Sequence, residues 1–187
     1  MPASTCRAAD TSGAELPRAE VTRDSVPDTD WTLAWRDFFT PVPCGTHFMV
    51  IAPWMIDTVD LEGRTPIVIE PKTAFGTGHH GTTLGCLRAL DRLITQGFKA
   101  DKVADIGCGT AVLAMAAARV WDGTFVASDI DQVAVDVAEA NLKANGMAGR
   151  VHCVEAAGFD HPDIAANAPY DLIFANILKG PLVALAP

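Results

Sequence analysis

Two glycines separated by one residue are the feature that most restricts how this chain can fold. Gly107 and Gly109 stand between residues 102–106, an apolar run that predicts a buried strand, and residues 110–120, an alanine-rich run that predicts a helix. A strand-to-helix turn without Cβ atoms lets a ligand approach the backbone beside the helix amides. Asp105 adds a carboxylate at the carboxyl end of the strand, where ligands bind in open α/β sheets. We therefore predict a nucleotide-type cofactor site at this turn.

Strand and helix patterns alternate from residue 83 onward. Besides residues 102–106, strands are predicted at residues 125–129, 151–154 and 170–175. Because these strands are apolar along their length, helices must cover both faces of the sheet. The pattern predicts an α/β fold with a doubly wound, mostly parallel sheet.

Capping signals mark the ends of the predicted helices. Thr82 or Thr83 is expected to cap the helix that runs to about residue 96, and Gly97 suits the position just after its end. Asp131 is expected to begin the helix after the second strand, and Asn145 followed by glycine is expected to close it.

The chain divides into three regions. Residues 1–27 lack apolar periodicity and are expected to be disordered or the remnant of an N-terminal domain. Residues 28–66 hold three of the four tryptophans and predict an aromatic-rich lead-in module, with a strand at residues 47–53. Residues 67–187 form the predicted main domain, which contains the glycine turn.

Composition excludes several classes of function. The net charge of −9 argues against binding a nucleic-acid backbone. No apolar run approaches the roughly 20 residues that span a bilayer, and the first residues lack the apolar core of a signal peptide. Adjacent His79 and His80 have no Cys, Asp or Glu at ligand spacing, so no metal site is expected. A cytoplasmic protein without membrane or direct nucleic-acid contacts is the expectation.

The residues after the glycine turn distinguish two cofactor classes. A dinucleotide fold places a third small residue three positions after the second glycine, where this chain has Val112. The turn also resembles the pattern of methyltransferases that use S-adenosylmethionine, in which an acid precedes the glycines and another ends the next strand. Asp105 and Asp129 occupy those positions, and a carboxylate at Asp129 can accept both ribose hydroxyls. The turn therefore favours S-adenosylmethionine over a dinucleotide.

Three segments read together make the pattern specific. Residues 75–83 read FGTGHHGTT, residues 105–109 read DIGCG, and residues 176–182 read NILKGPL. In this order they resemble the PrmA-type methyltransferases, which modify the eleventh protein of the large ribosomal subunit. The resemblance implies a class I, Rossmann-like S-adenosylmethionine-dependent methyltransferase that acts on amines of a basic ribosomal protein. It also implies that the later strands of the complete sheet, and most of an N-terminal recruiting domain, are absent from this chain.

The resemblance also implies how the cofactor is held. Thr83 would contact it from the glycine-rich loop, and Gly107 and Gly109 would leave room for its methionine part. Asp105 would help to hold its ammonium group, and Asp129 would bind the ribose, with the adenine near residues 154–156.

Asn176 is the implied catalytic residue, placed beside the sulfonium methyl group. The chain departs from the family pattern at His79, at Gly81, and at Ala111, where the family has a third glycine.

Three alternatives remain open: a methyltransferase for another protein or small molecule, a non-catalytic relative that binds cofactor or a partner, and a dehydrogenase.

Overall fold

The computed structural model of the chain describes residues 39–70 and 80–185. The region predicted as disordered or remnant, residues 1–27, lies outside these ranges, as do residues 28–38 of the lead-in and most of the FGTG loop. No helix in the described ranges is long and apolar enough to cross a bilayer.

The described residues form seven strands, five α-helices and one 3-10 helix. The strands are β1 (Val42–Cys44), β2 (Phe48–Ile51), β3 (Thr65–Val68), β4 (Lys102–Ile106), β5 (Thr124–Asp129), β6 (His152–Glu155) and β7 (Leu172–Phe174). The helices are α1 (Gly81–Thr95), α2 (Val112–Val120), α3 (Gln132–Ala144), α4 (Pro162–Asn167) and α5 (Lys179–Leu185), with the 3-10 helix at Pro53–Met55.

The larger sheet has four parallel strands in the order β6-β5-β4-β7. Its register places Asp105 of β4 opposite Ala127 of β5 and opposite Phe174 of β7. The predicted parallel α/β sheet is therefore confirmed. Within the described ranges β7 pairs only with β4, which makes it an edge strand.

Side chains of β5 alternate between two apolar clusters. Phe125 and Ala127 pack into the main core with α2, whereas Val126 packs with Val154 and with Ile164 of α4. Because successive side chains of a strand point to opposite faces, helices cover both sides of the sheet. The doubly wound arrangement predicted from the apolar strand runs is confirmed.

The smaller sheet joins β1, β2 and β3. β1 and β2 are antiparallel, and β3 lies parallel to β2. β3 starts in the predicted lead-in and ends in the predicted main domain. Val50 of β2 and Ile67 of β3 are buried in the same core cluster as Val103 of β4, so the two sheets share one core.

Asp91 of α1 ties the β1–β2 turn to the helix. Its Oδ1 accepts hydrogen bonds from the backbone nitrogens of Thr46 and His47, both at 2.8 Å, and lies 2.7 Å from His47 Nδ1. The carboxyl group lies so close to Gly45 that a Cβ there would fall 2.1 Å from Asp91 Cγ. Thus a buried acid on the inner face of α1 satisfies the polar groups of the turn.

Asn145 ends α3 and also joins this helix to β3. Its Oδ1 accepts from the Val68 nitrogen at 2.8 Å, and its Nδ2 donates to the carbonyl oxygens of Val68 and Asn141, each at 2.7 Å. The side-chain amide thus pairs with the backbone of Val68 much as a neighbouring strand would. Gly146 follows with φ +67°, which confirms the predicted end of the helix.

Of the other three predicted caps, two are confirmed and one is wrong. Asp131 caps α3 by accepting from the Val133 nitrogen, and Gly97 has the left-handed φ of +80°. At α1 the prediction of Thr82 or Thr83 as the cap is wrong, because the helix begins earlier, at Gly81. His80 is its N-cap, and the His80 side chain accepts from the Thr82 nitrogen. Thr83 is thereby placed inside the first turn, where it is 1% exposed.

Candidate functional site

A cavity of about 780 Å³ opens at the carboxyl ends of β4, β5, β6 and β7. The strand-following segments supply most of its wall, and α5 together with His80 and Thr82 at the start of α1 supplies the rest. Among its lining residues are Gly107, Asp129, Ile130, Ala156, Asn176 and Leu178. Cavities of this size, largely apolar with a few polar groups, are typical of cofactor sites.

The glycine turn is held against the end of β5. Gly109 donates its backbone N–H to Asp129 Oδ2 at 2.9 Å, and Asp131 donates its N–H to Asp129 Oδ1 at 3.1 Å. The Cys108 nitrogen also donates to the Ser128 carbonyl at 2.8 Å. Burial raises the pKa of Cys108, so its thiol is not a nucleophile here. Asp129 therefore lies directly beside the glycines, as its spacing predicts.

Asp105 lies behind the turn and does not line the cavity. Its Oδ2 accepts from the Ala114 nitrogen at 3.0 Å, in the first turn of α2. The N-cap of that helix is Ala111, whose side chain can accept no hydrogen bond. Asp105 thus supplies from the preceding strand the helix cap that Ala111 lacks.

Ala111 explains why α2 begins two residues later than predicted. It is fully buried and has the left-handed conformation, with φ 58°. A residue with a Cβ adopts this region at a cost, and glycine adopts it freely. The left-handed residue stops the helix from extending back to Thr110, and it accounts physically for the glycine that the family pattern has here.

The acidity of Asp105 leads to a prediction about stability. Burial, and then the neighbouring Asp129, raises the pKa of Asp105 to about 7, although the Ala114 hydrogen bond opposes the shift. Between its ordinary pKa and about 7 the folded state holds a proton that the unfolded state releases. Asp105 therefore makes the free energy of unfolding fall as the pH rises through this window. Urea unfolding at about pH 5 and about pH 8 should show a smaller decline for Asp105→Asn than for the unmodified protein. Equal declines would contradict the assignment.

Asn176 and Ile177, just after β7, contact two other parts of the site. Asn176 Nδ2 donates to Thr83 Oγ1 of α1 at 3.1 Å. Ile177 fills the space beside Gly107, where an added Cβ would lie 2.2 Å from Ile177 Cγ2. Gly107 has φ +69°, a second reason for glycine at this position. The segment after β7 is thus anchored both to α1 and to the glycine turn.

The structure brings most of the predicted site residues together. Gly107, Asp129 and Asn176 line one cavity. Gly109 and Thr83 adjoin it through their hydrogen bonds to Asp129 and Asn176. Their roles in binding and catalysis remain predictions.

Two exposed apolar residues of the cavity were not predicted. Ile130 is 74% exposed and Leu178 is 80% exposed, although both are large apolar side chains. Ile130 directly follows Asp129, and Leu178 lies two residues after Asn176. The sequence does show an apolar residue close to each of these two predicted site residues. Strand and helix patterns, however, predict that such apolar residues are buried, so they do not indicate exposed positions in a cavity.

The charged and hydrogen-bonding groups of the cavity bear on which ligands it can bind. None of the described lining residues is Lys or Arg. The backbone amides of Gly109 and Ala114 are already bound by the carboxylates of Asp129 and Asp105. At such a turn a pyrophosphate is bound by free backbone amides and by the dipole of the helix N-terminus. The two engaged amides leave fewer donors for a pyrophosphate at this turn, whereas the unused lone pairs of Asp129 can accept hydroxyl groups.

Comparisons with known proteins agree with this reading of the fold. The family model described as "Ribosomal protein L11 methyltransferase (PrmA)" matches residues 2–187. A ribosomal protein L11 methyltransferase of Caulobacter sp. strain K31 is 43% identical over 168 residues, which make up 89% of this chain and 56% of that protein. One from Brucella suis is 42% identical over 164 residues, with 88% and 56% covered.

A solved structure has the same fold. The crystal structure of a ribosomal protein L11 methylase from Lactobacillus delbrueckii subsp. bulgaricus superimposes with a TM-score of 0.67 at 26% identity, over 79% of this chain and 71% of that one. The chain spans little more than half the length of the curated relatives that it matches.

Proposed function

Because the chain belongs to the family of ribosomal protein L11 methyltransferases (PrmA), we propose that it binds S-adenosylmethionine in the cavity beside Gly107 and transfers the methyl group to amines of a large-subunit ribosomal protein. The observation that carries the proposal is the hydrogen bond between Asp129 and Gly109, which fixes an acid at the glycine turn inside the cavity. The names of the relatives support the substrate class.

The residues present fit this cofactor. Each oxygen of Asp129 accepts one backbone N–H, so two lone pairs are in use. A carboxylate has about four lone pairs, and the remaining two can accept hydrogen bonds from two ribose hydroxyls. Ile130 and Ala156 supply apolar wall suited to an adenine ring. Asp105 does not line the cavity, and only above its pKa of about 7 would its negative charge favour a positively charged ligand there.

The cofactor supplies a methyl group bonded to a sulfonium sulfur, which leaves with its electron pair when an amine nitrogen attacks the carbon. The protein has to provide an uncharged amine, aimed in line with that bond. Only about one lysine amine in a thousand is uncharged near neutral pH, and transfer into a largely apolar cavity raises that fraction. Asn176 donates to Thr83 through Nδ2, so its Oδ1 remains available to accept a hydrogen bond from the amine.

Two substitutions test the proposal by separating binding from transfer. In calorimetry with S-adenosylmethionine, Asp129→Ala should weaken binding by about a hundredfold, because two hydrogen bonds to a charged group are lost. Asn176→Ala should leave the affinity within about threefold and slow methyl transfer by at least about tenfold, measured with a labelled methyl donor. The acceptor in this assay is the large-subunit protein that the relatives' names specify.

Asp136→Ala is the matched control for Asp129→Ala. Asp136 is an exposed acid on α3 whose only described partner is Gln132, and its replacement should change neither quantity. Tight binding of a nicotinamide dinucleotide would instead support a dehydrogenase. Binding of S-adenosylmethionine without turnover would identify a non-catalytic relative, and turnover only on other acceptors would change the substrate class.

A further inference from the structure

We infer that residues 177–185 form a cover over the cofactor cavity, which unwinds to let S-adenosylmethionine enter or leave and folds over it when it is bound. The cover consists of Ile177, Leu178 and α5. The inference rests on the proposed function, since it takes the cavity to be the site of that cofactor.

The cover crosses the carboxyl ends of three neighbouring strands. At its start Ile177 Cγ2 fills the space beside Gly107, and at its end Leu185 Cδ2 lies 2.4 Å from where a Cβ of Gly158 would stand. Gly107 follows β4 and Gly158 follows β6, with β5 between them in the sheet. Neighbouring strands lie about 4.8 Å apart, so the two ends are about 10 Å apart, which seven helical residues can span. The cover therefore passes over the end of β5, where Asp129 lies.

One side of α5 faces the cavity. Pro181, Ala184 and Leu185 line it, at spacings of three and four residues that place side chains on one side of a helix. Leu182 and Val183 do not line the cavity, and both are exposed. α5 thus forms part of the cavity wall while its other side faces solvent.

α5 is held loosely against the rest of the protein. None of its residues is buried, whereas seven of the nine residues of α2 are. An isolated helix shorter than about 12–15 residues is at best marginally stable in water, and α5 has seven. Without the contact between Leu185 and Gly158, only the anchored start of the cover holds this helix, so it unwinds. Gly180 favours the unwound form, because glycine gains more backbone freedom than alanine does.

The position of the cover explains what opening and closing do. It lies over Asp129, the residue proposed to bind the ribose. The folded cover encloses a bound cofactor and delays its release, as closing loops and helices do in many enzymes. Release of the cofactor then requires α5 to unwind.

Gly180→Ala tests the cover without altering the cavity wall. Gly180 does not line the cavity, and a Cβ added there would meet no atom within 4 Å. Alanine favours the helical, closed form, so release of labelled S-adenosylmethionine into excess unlabelled cofactor should slow about two- to fivefold. Leu185→Ala should act in the opposite direction and speed release at least about fivefold, because it removes the contact with Gly158.

Gly85→Ala is the matched control for Gly180→Ala. Gly85 is an exposed glycine of α1 that does not line the cavity, and a Cβ added there would also meet no atom within 4 Å. The substitution favours a helix to the same degree, but it should leave the rate of cofactor release unchanged. If Gly180→Ala also leaves this rate unchanged, the inference is overturned while the proposed function stands.

Hydrogen exchange of the backbone amides tests the cover in the ligand-free protein. Amides of α5 should exchange at least about a hundredfold faster than those of α2, and Gly180→Ala should slow their exchange about two- to fivefold. S-adenosylmethionine should slow it further. Exchange in α5 as slow as in α2 would overturn the inference. Cofactor binding that leaves exchange in α5 unchanged would overturn the inference alone, and absence of binding would overturn the proposed function as well.

Discussion

Replacing Asn145 with aspartate is expected to lower the free energy of unfolding by about 2–3 kcal/mol. The amide nitrogen that donates to the carbonyls of Val68 and Asn141 would become an oxygen. The Val68 carbonyl would then lose this donor and face a second acceptor, at a cost of about 1–3 kcal/mol, whereas the Asn141 carbonyl would keep the backbone N–H of Asn145 and gain a repulsive neighbour. The change adds no volume, so packing cannot explain the loss. Urea unfolding monitored by circular dichroism measures it.

Asn167→Asp is the control for that substitution. Asn167 also donates from its side chain to a backbone carbonyl, that of Asp163 at 2.7 Å, but this pair lies at the surface of α4. Water can replace the lost donor there, so a loss below about 1 kcal/mol is expected. If the two variants lose similar stability, the bridge between α3 and β3 does not contribute as the structure indicates.

The substitution Asp91→Ala is expected to lower the free energy of unfolding by about 3 kcal/mol. It removes the acceptor for the backbone nitrogens of Thr46 and His47 and for the His47 ring. Those two amides have no other described acceptor. Asp136→Ala is the control, because it removes an acid of the same type from an exposed position of α3. It should change stability by less than about 0.5 kcal/mol.

The stabilising effect of Asp91 should depend on pH in a defined direction. Burial alone would raise the pKa of Asp91, but the hydrogen bonds from His47 and Thr46 outweigh it and hold the pKa below its ordinary value of 3.8. The contribution is therefore fully present above that value and is lost as the pH falls through the lower pKa of the folded state. The stability difference between the unmodified protein and Asp91→Ala should shrink in acid. A difference that stays constant down to about pH 2 would contradict this account.

Local signals in the sequence predict the layout of the large sheet and the neighbours of its glycine turn. Apolar runs and caps such as Asp131 depend on residues only a few positions apart, so they are readable without a structure. The position of Asp129 beside Gly109 also follows, since the carboxyl ends of adjacent parallel strands meet at one edge.

Contacts between distant segments were not predictable. An asparagine followed by glycine marks the end of a helix, but nothing local shows that Asn145 binds Val68, 77 residues away. A glycine indicates that a Cβ is excluded, and Gly107 was expected to leave room for a cofactor. The structure places Ile177 in the space of that missing Cβ, which no local pattern specifies. The role of Asp91 was not predictable for a similar reason. An acid is buried only where partners satisfy it, and the partners of Asp91 lie in a distant segment of the chain.

The hydrogen bond between Asn176 and Thr83 joins residues 93 positions apart. During synthesis from the N-terminus, the glycine turn and Asp129 leave the ribosome well before Asn176 does. β7 must still emerge and pair with β4 before the amide reaches α1. Because Asn176 also lines the cavity, the cavity is complete only once this last described strand has paired, whatever parts of the sheet have formed before it.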